Sequence, residues 1–197
     1  MSIEWLRKLI MGKSMDNKFV KKTSIPGLLI LERPFFSDER GFFHEVFHLD
    51  ELEEALGEKF TPVQWNHSRS KPKVLRGLHA ENWNKLIYPV TGEVFVVIVD
   101  IRPDSEVFGK IETFHFKGDN RAALFIPQGL ANSFCVLGNE DANYLYLVNK
   151  YYDGSDTRAI AYDDPDLNID WPIKDPVISD RDKNNPRIRD LFPDKFK

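Results

Sequence analysis

Short apolar runs separated by turn-forming residues make up most of this sequence, and they restrict the fold more than any other feature. The clearest run is Val94–Ile101, VFVVIVDI, which lies between Thr91-Gly92 and Arg102-Pro103. Runs of this length that are rich in Val, Ile and Phe are typical of strands, and Gly, Pro and Asn between them mark turns. Many such strands in succession predict an all-β fold, either an antiparallel barrel or a jelly roll.

The same pattern recurs along the chain, and helical spacing is rare. The further predicted strands are Leu28–Leu31, Phe42–Phe47, Val63–His67, Val74–His79, Ile111–Phe116, Ala122–Ile126, Ser133–Leu137 and Tyr144–Tyr151. Helical spacing predicts a short helix over Asp50–Leu56, with Asp50 as its N-cap, and another near Ile188–Leu191. The expected architecture is therefore an all-β barrel with a few short peripheral helices.

We expect two parts in the chain. Residues 1–17 form an N-terminal extension, in which Ile3, Leu6, Leu9 and Ile10 fall at helical spacing, and this extension is either a surface helix or a disordered leader. Residues 18–197 form a single domain with a charged, proline-containing tail, because no internal repeat or linker interrupts the strand pattern.

Charge and cysteine content exclude several classes of function. The 27 Lys and Arg against 31 Asp and Glu give a net charge of −4, so no nucleic-acid partner is expected and an anionic ligand must be held by a few placed cations. The single cysteine, Cys135, excludes a disulfide framework and a cysteine-rich metal site, and it favours a cytoplasmic location. No apolar run reaches the roughly 18 residues of a membrane span, so no membrane partner is expected.

Polar side chains occupy strand positions that would normally be buried and apolar. Gln64 and Asn66 alternate on one face of their strand, Lys85 begins another run, and Tyr144 and Tyr146 share a face of a third. If these faces point inward, the barrel has a polar interior that a polar ligand would satisfy. The alternative is that each face is exposed to solvent and that a single histidine such as His79 is structural.

Several ordered motifs resemble those of the dTDP-4-dehydrorhamnose 3,5-epimerase family. The first is Phe36–Phe47, FSDERGFFHEVF, and Gln64–Ser68 (QWNHS) and Val74–His79 (VLRGLH) follow it. The later matching segments are Gly92–Phe95, Val99–Arg102, Ile126–Gly129, Asp163–Pro165, Ile169–Pro172 and Ser179–Asp182. The resemblance covers residues 19–182 and implies a cupin-type jelly-roll barrel, a homodimer, and an enzyme that uses no metal or other cofactor.

The resemblance also implies a role for individual residues. His79 is then the general base, Asp164 its carboxylate partner, and Tyr146 the general acid, whereas Lys85 lies beside the keto oxygen of the sugar. The implied substrate-binding positions are Arg40, Glu45, Gln64, Asn66, Arg76 and Asn132. Arg40 is expected to serve the site of the neighbouring subunit, and Asn132 stands where the family has a second histidine.

These residue types suit the implied reaction on a nucleotide-diphosphate sugar. A 4-keto group makes the hydrogens on C3 and C5 weakly acidic, and histidine, with an unperturbed pKa of about 6.5, can remove one near neutral pH. The enolate oxygen then needs a cation, which Lys85 supplies, and a proton must return from the opposite face, which Tyr146 supplies. Arg40 and Arg76 can grip phosphate oxygens in a bidentate manner.

Three departures from the family pattern leave the substrate open. The segment between His79 and Lys85 is shorter than in the family, Asn132 replaces a histidine, and Thr157 stands where the family often has a glutamate that contacts substrate. The nucleotide, the sugar, and inversion at C3, C5 or both therefore stay open. The alternatives are a nucleotide-sugar 3,4-ketoisomerase, a non-catalytic cupin that binds a sugar nucleotide, and a metal-dependent cupin, which the single imidazole of the site disfavours.

Overall fold

The computed structural model describes residues 18–118, 120–154 and 157–196, and it has an all-β architecture. A six-stranded antiparallel sheet has the order β1-β2-β10-β7-β12-β5, and a five-stranded sheet has the order β13-β6-β11-β8-β9. The strands β3 and β4 form a separate hairpin. The predicted N-terminal extension, residues 1–17, lies outside the described residues.

The strands are β1 (Val20–Lys22), β2 (Leu29–Leu31), β3 (Phe35–Asp38), β4 (Gly41–His44), β5 (Gln64–Ser70), β6 (Leu75–Glu81), β7 (Lys85–Thr91), β8 (Glu93–Asp100), β9 (Ile111–Phe116), β10 (Ala123–Ile126), β11 (Leu130–Leu137), β12 (Ala142–Val148) and β13 (Thr157–Ala159). The helices are α1 (Leu49–Leu56), α2 (Asp180–Lys183) and α3 (Ile188–Leu191), and a 3-10 turn covers Pro193–Phe196. No helix of this described part is long and apolar enough to cross a membrane.

The two large sheets pack face to face, and β8 explains why the longest apolar run is continuous. Val96 and Ile98 point into the core between the sheets, where they join Leu124 of β10. Val97 and Val99 point to the other side, where a second core contains Ile188 of α3. Because both faces of β8 are covered, nearly every residue of the run is buried and apolar.

Two predicted strands end early, and in both cases the reason is the partner strand. β12 stops at Val148 rather than at Tyr151, because Val148 already pairs with Gln64 and Lys85, the first residues of β5 and β7. Within the described residues, no strand lies beyond that point for β12 to pair with. β4 likewise stops at His44, which pairs with the first residue of β3.

Both predicted helices form, but the predicted cap of the first is wrong. Leu49 is already helical, so the N-cap position falls on His48, which makes no side-chain cap hydrogen bond. Asp50 lies inside the first turn, where its carboxylate accepts a hydrogen bond from the backbone N–H of Glu51 at 3.0 Å. α3 has the predicted bounds.

Candidate active site

A pocket of about 320 Å³ opens at one end of the space between the sheets. Side chains from both sheets, from the segment between β6 and β7, and from the region of α2 line it. They are Gln64, Asn66, His79, Glu81, Trp83, Tyr146, Val148, Tyr152 and Arg181. Four of the residues that the sequence predicts for the site, namely Gln64, Asn66, His79 and Tyr146, therefore line one pocket.

The strand β5 shows why polar side chains reach the interior. Its residues alternate, so that Trp65 is 69% exposed on the outer face whereas Gln64 and Asn66 point inward. Asn66 pairs with Tyr146 across the β5/β12 ladder, and Gln64 Nε2 donates to Asn66 Oδ1 at 2.7 Å. Of the two alternatives that the sequence left open, this strand therefore has the polar inward face.

His79 forms a hydrogen-bonded pair with a buried carboxylate. Its Nε2 lies 2.7 Å from Oδ1 of Asp182, the third residue of α2. Burial raises the pKa of Asp182, but the hydrogen bond and charge of His79, together with bonds from Gly77 and Ser179, outweigh burial and hold that pKa below its usual range. An ionised Asp182 accepts from Nε2–H, and the lone pair of the neutral imidazole is then on Nδ1.

Gly77 brings the elements of this pair together. Its φ of 125° favours glycine, and a Cβ there would lie 2.7 Å from the carbonyl oxygen of Asn132. The bare backbone therefore lets β6 approach β11 closely. The N–H of Gly77 also donates to Oδ2 of Asp182 at 3.4 Å, so the same residue helps to hold the carboxylate.

Asp164, which the resemblance implies as the partner of His79, does not contact that histidine, so this prediction is wrong. Its Oδ1 accepts from the backbone N–H of Asp166 at 2.8 Å and its Oδ2 from that of Ile188 at 2.7 Å. These bonds anchor α3 to the preceding loop and occupy both oxygens of the carboxylate. The residue that sequence reasoning missed is Asp182, although it ends the matching segment Ser179–Asp182 and Ser179 caps its helix.

Tyr146, rather than Tyr144, faces the pocket. Tyr144 is only 4% exposed and stacks on Phe134, with ring centroids 4.3 Å apart. Burial raises the pKa of Tyr146, the charge of Glu81 raises it further, and Arg76 opposes both. The pKa of Tyr146 is therefore raised overall, and the phenol is protonated throughout the neutral range.

Lys85 lies next to this tyrosine, and Asn132 is bonded to Lys85. Lys85 Nζ is 5.2 Å from the centroid of the Tyr146 ring and 2.6 Å from Oε1 of Glu81. Asn132 pairs with His79 in the β6/β11 ladder, and its Nδ2 donates to the His79 carbonyl at 2.7 Å. The two predicted residues therefore contact residues that line the pocket: Lys85 contacts Glu81, and Asn132 contacts His79.

The remaining predicted residues stand apart from the pocket lining. Arg76 Nε donates to Ser70 Oγ at 2.9 Å, yet its charge reaches Tyr146. Arg40, on the β3–β4 hairpin, is 84% exposed and pairs with Asp38, and Glu45 pairs with Arg33 at 3.0 Å. The substrate contacts of Arg40 and Glu45 stay predictions.

Two aromatic residues that sequence reasoning did not assign to the site close one side of the pocket. Trp83, in the short segment between β6 and β7, meets Tyr152 edge to face with ring centroids 6.2 Å apart. The sequence signal that could have found Trp83 is a large aromatic residue in the short segment between His79 and Lys85. Among the described residues, no group of three or more His, Cys, Asp or Glu is arranged to hold a metal ion.

Comparisons with known proteins agree with this geometry. The family model described as dTDP-4-dehydrorhamnose 3,5-epimerase matches residues 22–190. A protein of that name from Shigella flexneri is 45% identical over 175 residues, which cover 87% of this chain and 96% of that protein. A dTDP-4-dehydrorhamnose 3-epimerase from Streptomyces niveus is 34% identical, with coverage of 75% and 73%.

Solved structures give the same result. NovW, a 4-keto-6-deoxy sugar epimerase from Streptomyces spheroides, has a TM-score of 0.84 at 29% identity and covers 89% of this chain and 90% of its own. The 3,5-epimerase from Legionella pneumophila, solved with dTDP-4-keto-L-rhamnose, has a TM-score of 0.81 at 38% identity, with coverage of 89% and 95%. The chain therefore belongs to the dTDP-4-dehydrorhamnose 3,5-epimerase family, and it is a nucleotide-sugar epimerase with a cupin-type jelly-roll fold.

Proposed function

We propose that this protein inverts both C3 and C5 of a dTDP-linked 4-keto-6-deoxy sugar through enolate intermediates. The observation that carries the proposal is the presence of the His79–Asp182 pair and of Tyr146 in one pocket. The names of the relatives at 45% and 42% identity support a 3,5-epimerase, and the dTDP-4-keto-L-rhamnose in the Legionella structure supports the substrate class.

The first step is proton removal by His79. Nδ1 of the neutral imidazole takes a proton from a carbon next to the keto group, and the electrons of the broken C–H bond form the enolate. Asp182, held ionised, stabilises the imidazolium that results and fixes the ring in this tautomer. The buried carboxylate thus makes His79 a base of defined orientation.

The charge that develops on the keto oxygen is met by Lys85. Its ammonium lies within the same cluster of side chains as His79 and Tyr146. A preorganised donor of this kind typically lowers the barrier by about 2.7–4 kcal/mol. Gln64, Asn66 and Arg76 are the proposed hydrogen-bonding contacts of the substrate.

Inversion requires that the new C–H bond forms on the opposite face of the enolate. We assign that donation to the Tyr146 phenol, which burial and Glu81 keep protonated. The phenolate regains a proton from solvent, and the imidazolium returns its own to solvent. The net change is an exchanged hydrogen and an inverted centre.

The protein is also proposed to act as a homodimer in the cytoplasm. Phe42 and Phe43 on the β3–β4 hairpin are 58% and 64% exposed, and Arg40 beside them lies outside the pocket lining. A hairpin that presents apolar rings and a cation suits contact with a second subunit. Light scattering during gel filtration tests this, and a monomer that retains full activity would contradict it.

The experiment that tests the function is deuterium wash-in. Wild-type protein is incubated in D₂O with dTDP-4-keto-6-deoxy-D-glucose, and NMR and mass spectrometry determine deuterium and configuration at C3 and C5. We expect deuterium and inversion at both carbons, and slower turnover of the GDP-, UDP- and CDP-linked sugars. Migration of the carbonyl to C3, or binding without exchange, would contradict the proposal.

A further inference from the structure

Glu81 is a pocket carboxylate whose only part in the mechanism above is to help burial raise the pKa of Tyr146. It follows His79 by two residues on β6, so both side chains project from the same face of the strand. Its side chain is 13% exposed and that of Lys85 only 8%. An ammonium and a carboxylate this deeply buried need each other as counter-charges.

The contacts of Glu81 form a closed cluster with Lys85 and Asn132. Oε1 of Glu81 lies 2.6 Å from Lys85 Nζ, and Oε2 accepts from Asn132 Nδ2 at 3.1 Å. Asn132 Oδ1 accepts in turn from Lys85 Nζ at 3.5 Å. Each of the three side chains is therefore bonded to the other two.

Asn132 ties this cluster to the histidine. Its Nδ2 also donates to the backbone carbonyl of His79 at 2.7 Å. The position of the ammonium is thus coupled, through an amide and a carboxylate, to the strand that carries His79. Lysine has a flexible four-carbon stem, so without such contacts its charge would not occupy a single place.

We propose that Glu81 is a positioning residue, which holds the Lys85 ammonium, with Asn132, at the place where the keto oxygen of the substrate becomes an enolate. This inference rests on the proposed function of the site. Glu81 acts through Lys85 and is not itself a proton donor or acceptor for the sugar. Its loss therefore slows enolate formation, whereas binding of the nucleotide is retained.

Three variants test the coupling: Glu81→Gln, Lys85→Gln and the double variant. The glutamine at position 81 keeps the size and the contact to Asn132 but removes the charge that holds the ammonium. We expect Lys85→Gln to lower the kcat of deuterium wash-in by about 100- to 1,000-fold. Glu81→Gln should lower kcat by about 100-fold, as misplacement of a catalytic group does.

The central result is the absence of additivity. If Glu81 acts only through Lys85, the double variant has the kcat of Lys85→Gln alone, and the KM and the dissociation constant for dTDP stay within about two-fold of wild type. Independent, multiplicative losses of kcat would overturn the proposal. A rise in KM with unchanged kcat would also overturn it, because Glu81 would then bind substrate directly.

Controls separate this inference from loss of the fold and from failure of the proposed function. Glu93→Gln is the matched control. Glu93, on β8, is also a carboxylate paired with a lysine, its Oε2 lying 2.8 Å from Lys117 Nζ, and this variant should leave wash-in unchanged. If Glu81→Gln does not fold, Glu81→Asp retains the charge, and a kcat nearer to wild type than that of Lys85→Gln is expected. A Glu81→Asp kcat as low as that of Lys85→Gln, with a normal thermal midpoint, would contradict the proposal. Absence of wash-in by wild type would refute the proposed function instead.

Discussion

The two ends of the space between the sheets differ sharply, and the strand β12 passes through both. At one end Tyr144 stacks on Phe134 within a core that also contains Ile87 and Ile98. At the other end Tyr146, on the same face and two residues along, lines the pocket with His79. One sheet face therefore supplies a packed core and, next to it, a polar chamber.

This contrast shows how the fold supports chemistry in its interior. The packed end contributes burial of apolar surface, which is the main source of stability. At the open end two groups that we assign to the reaction are held by carboxylates, since Asp182 is bonded to His79 and Glu81 to Lys85. We therefore expect substitutions at the open end to reduce activity and those at the packed end to reduce stability.

The largest expected effect is on His79. Replacement by asparagine removes the base, and it should lower deuterium wash-in at C3 and C5 by about 10⁴-fold, the upper range for general base catalysis. Binding of dTDP, measured by calorimetry, should change little, because the nucleotide does not need the base. Wash-in at the wild-type rate would exclude His79 as the base.

A smaller effect is expected from Asp182, and Asp164 gives the matched control. Asp182→Asn leaves His79 without a charged partner and should lower kcat by at least about 100-fold. Asp164→Asn should instead destabilise the fold, because it disturbs bonds to backbone N–H groups, and the protein that remains folded should have nearly wild-type kcat. The reverse pattern would restore Asp164 as the catalytic partner.

A substitution of Tyr144 tests whether the packed end contributes stability. Tyr144→Ala leaves a cavity beside Phe134 and should lower the free energy of unfolding by about 3 kcal/mol. Urea denaturation monitored by circular dichroism gives this value. A loss below the error of the measurement would show that this end is not close-packed.

The smallest effect concerns pH and stability. Because the folded-state pKa of Asp182 is depressed, its contribution to stability is present above the unfolded pKa of about 3.9 and is lost as pH falls through the lower folded value. The wild type should therefore lose stability in acid relative to Asp182→Asn. Urea midpoints measured from about pH 6 to about pH 3 test this. The same dependence of the urea midpoint on pH in the two proteins would contradict a depressed pKa of Asp182 in the folded state.

The sequence predicts the fold well because its signals are local. Val94–Ile101 and Ile111–Phe116 show strand patterns, and α3 was predicted with its observed bounds. Tyr146, which the resemblance implies as the general acid, also lines the pocket.

The sequence fails where a contact depends on which distant segments meet. Asp164 and Asp182 are both buried aspartates in matching motifs, and only the tertiary placement of α2 brings Asp182 to His79. Glu81 was overlooked for a similar reason, because its proposed role depends on Lys85 and Asn132 on two other strands. The spacing of residues along the chain does not reveal which distant segments contact each other in the fold.

The most direct test of the account is the Tyr146→Phe variant in D₂O. If His79 and Tyr146 act on opposite faces of the enolate, this variant should still exchange hydrogen with solvent through His79 while inversion falls by about 100-fold or more. The recovered sugar should then carry deuterium with its original configuration. Loss of exchange and inversion in equal measure would contradict the account.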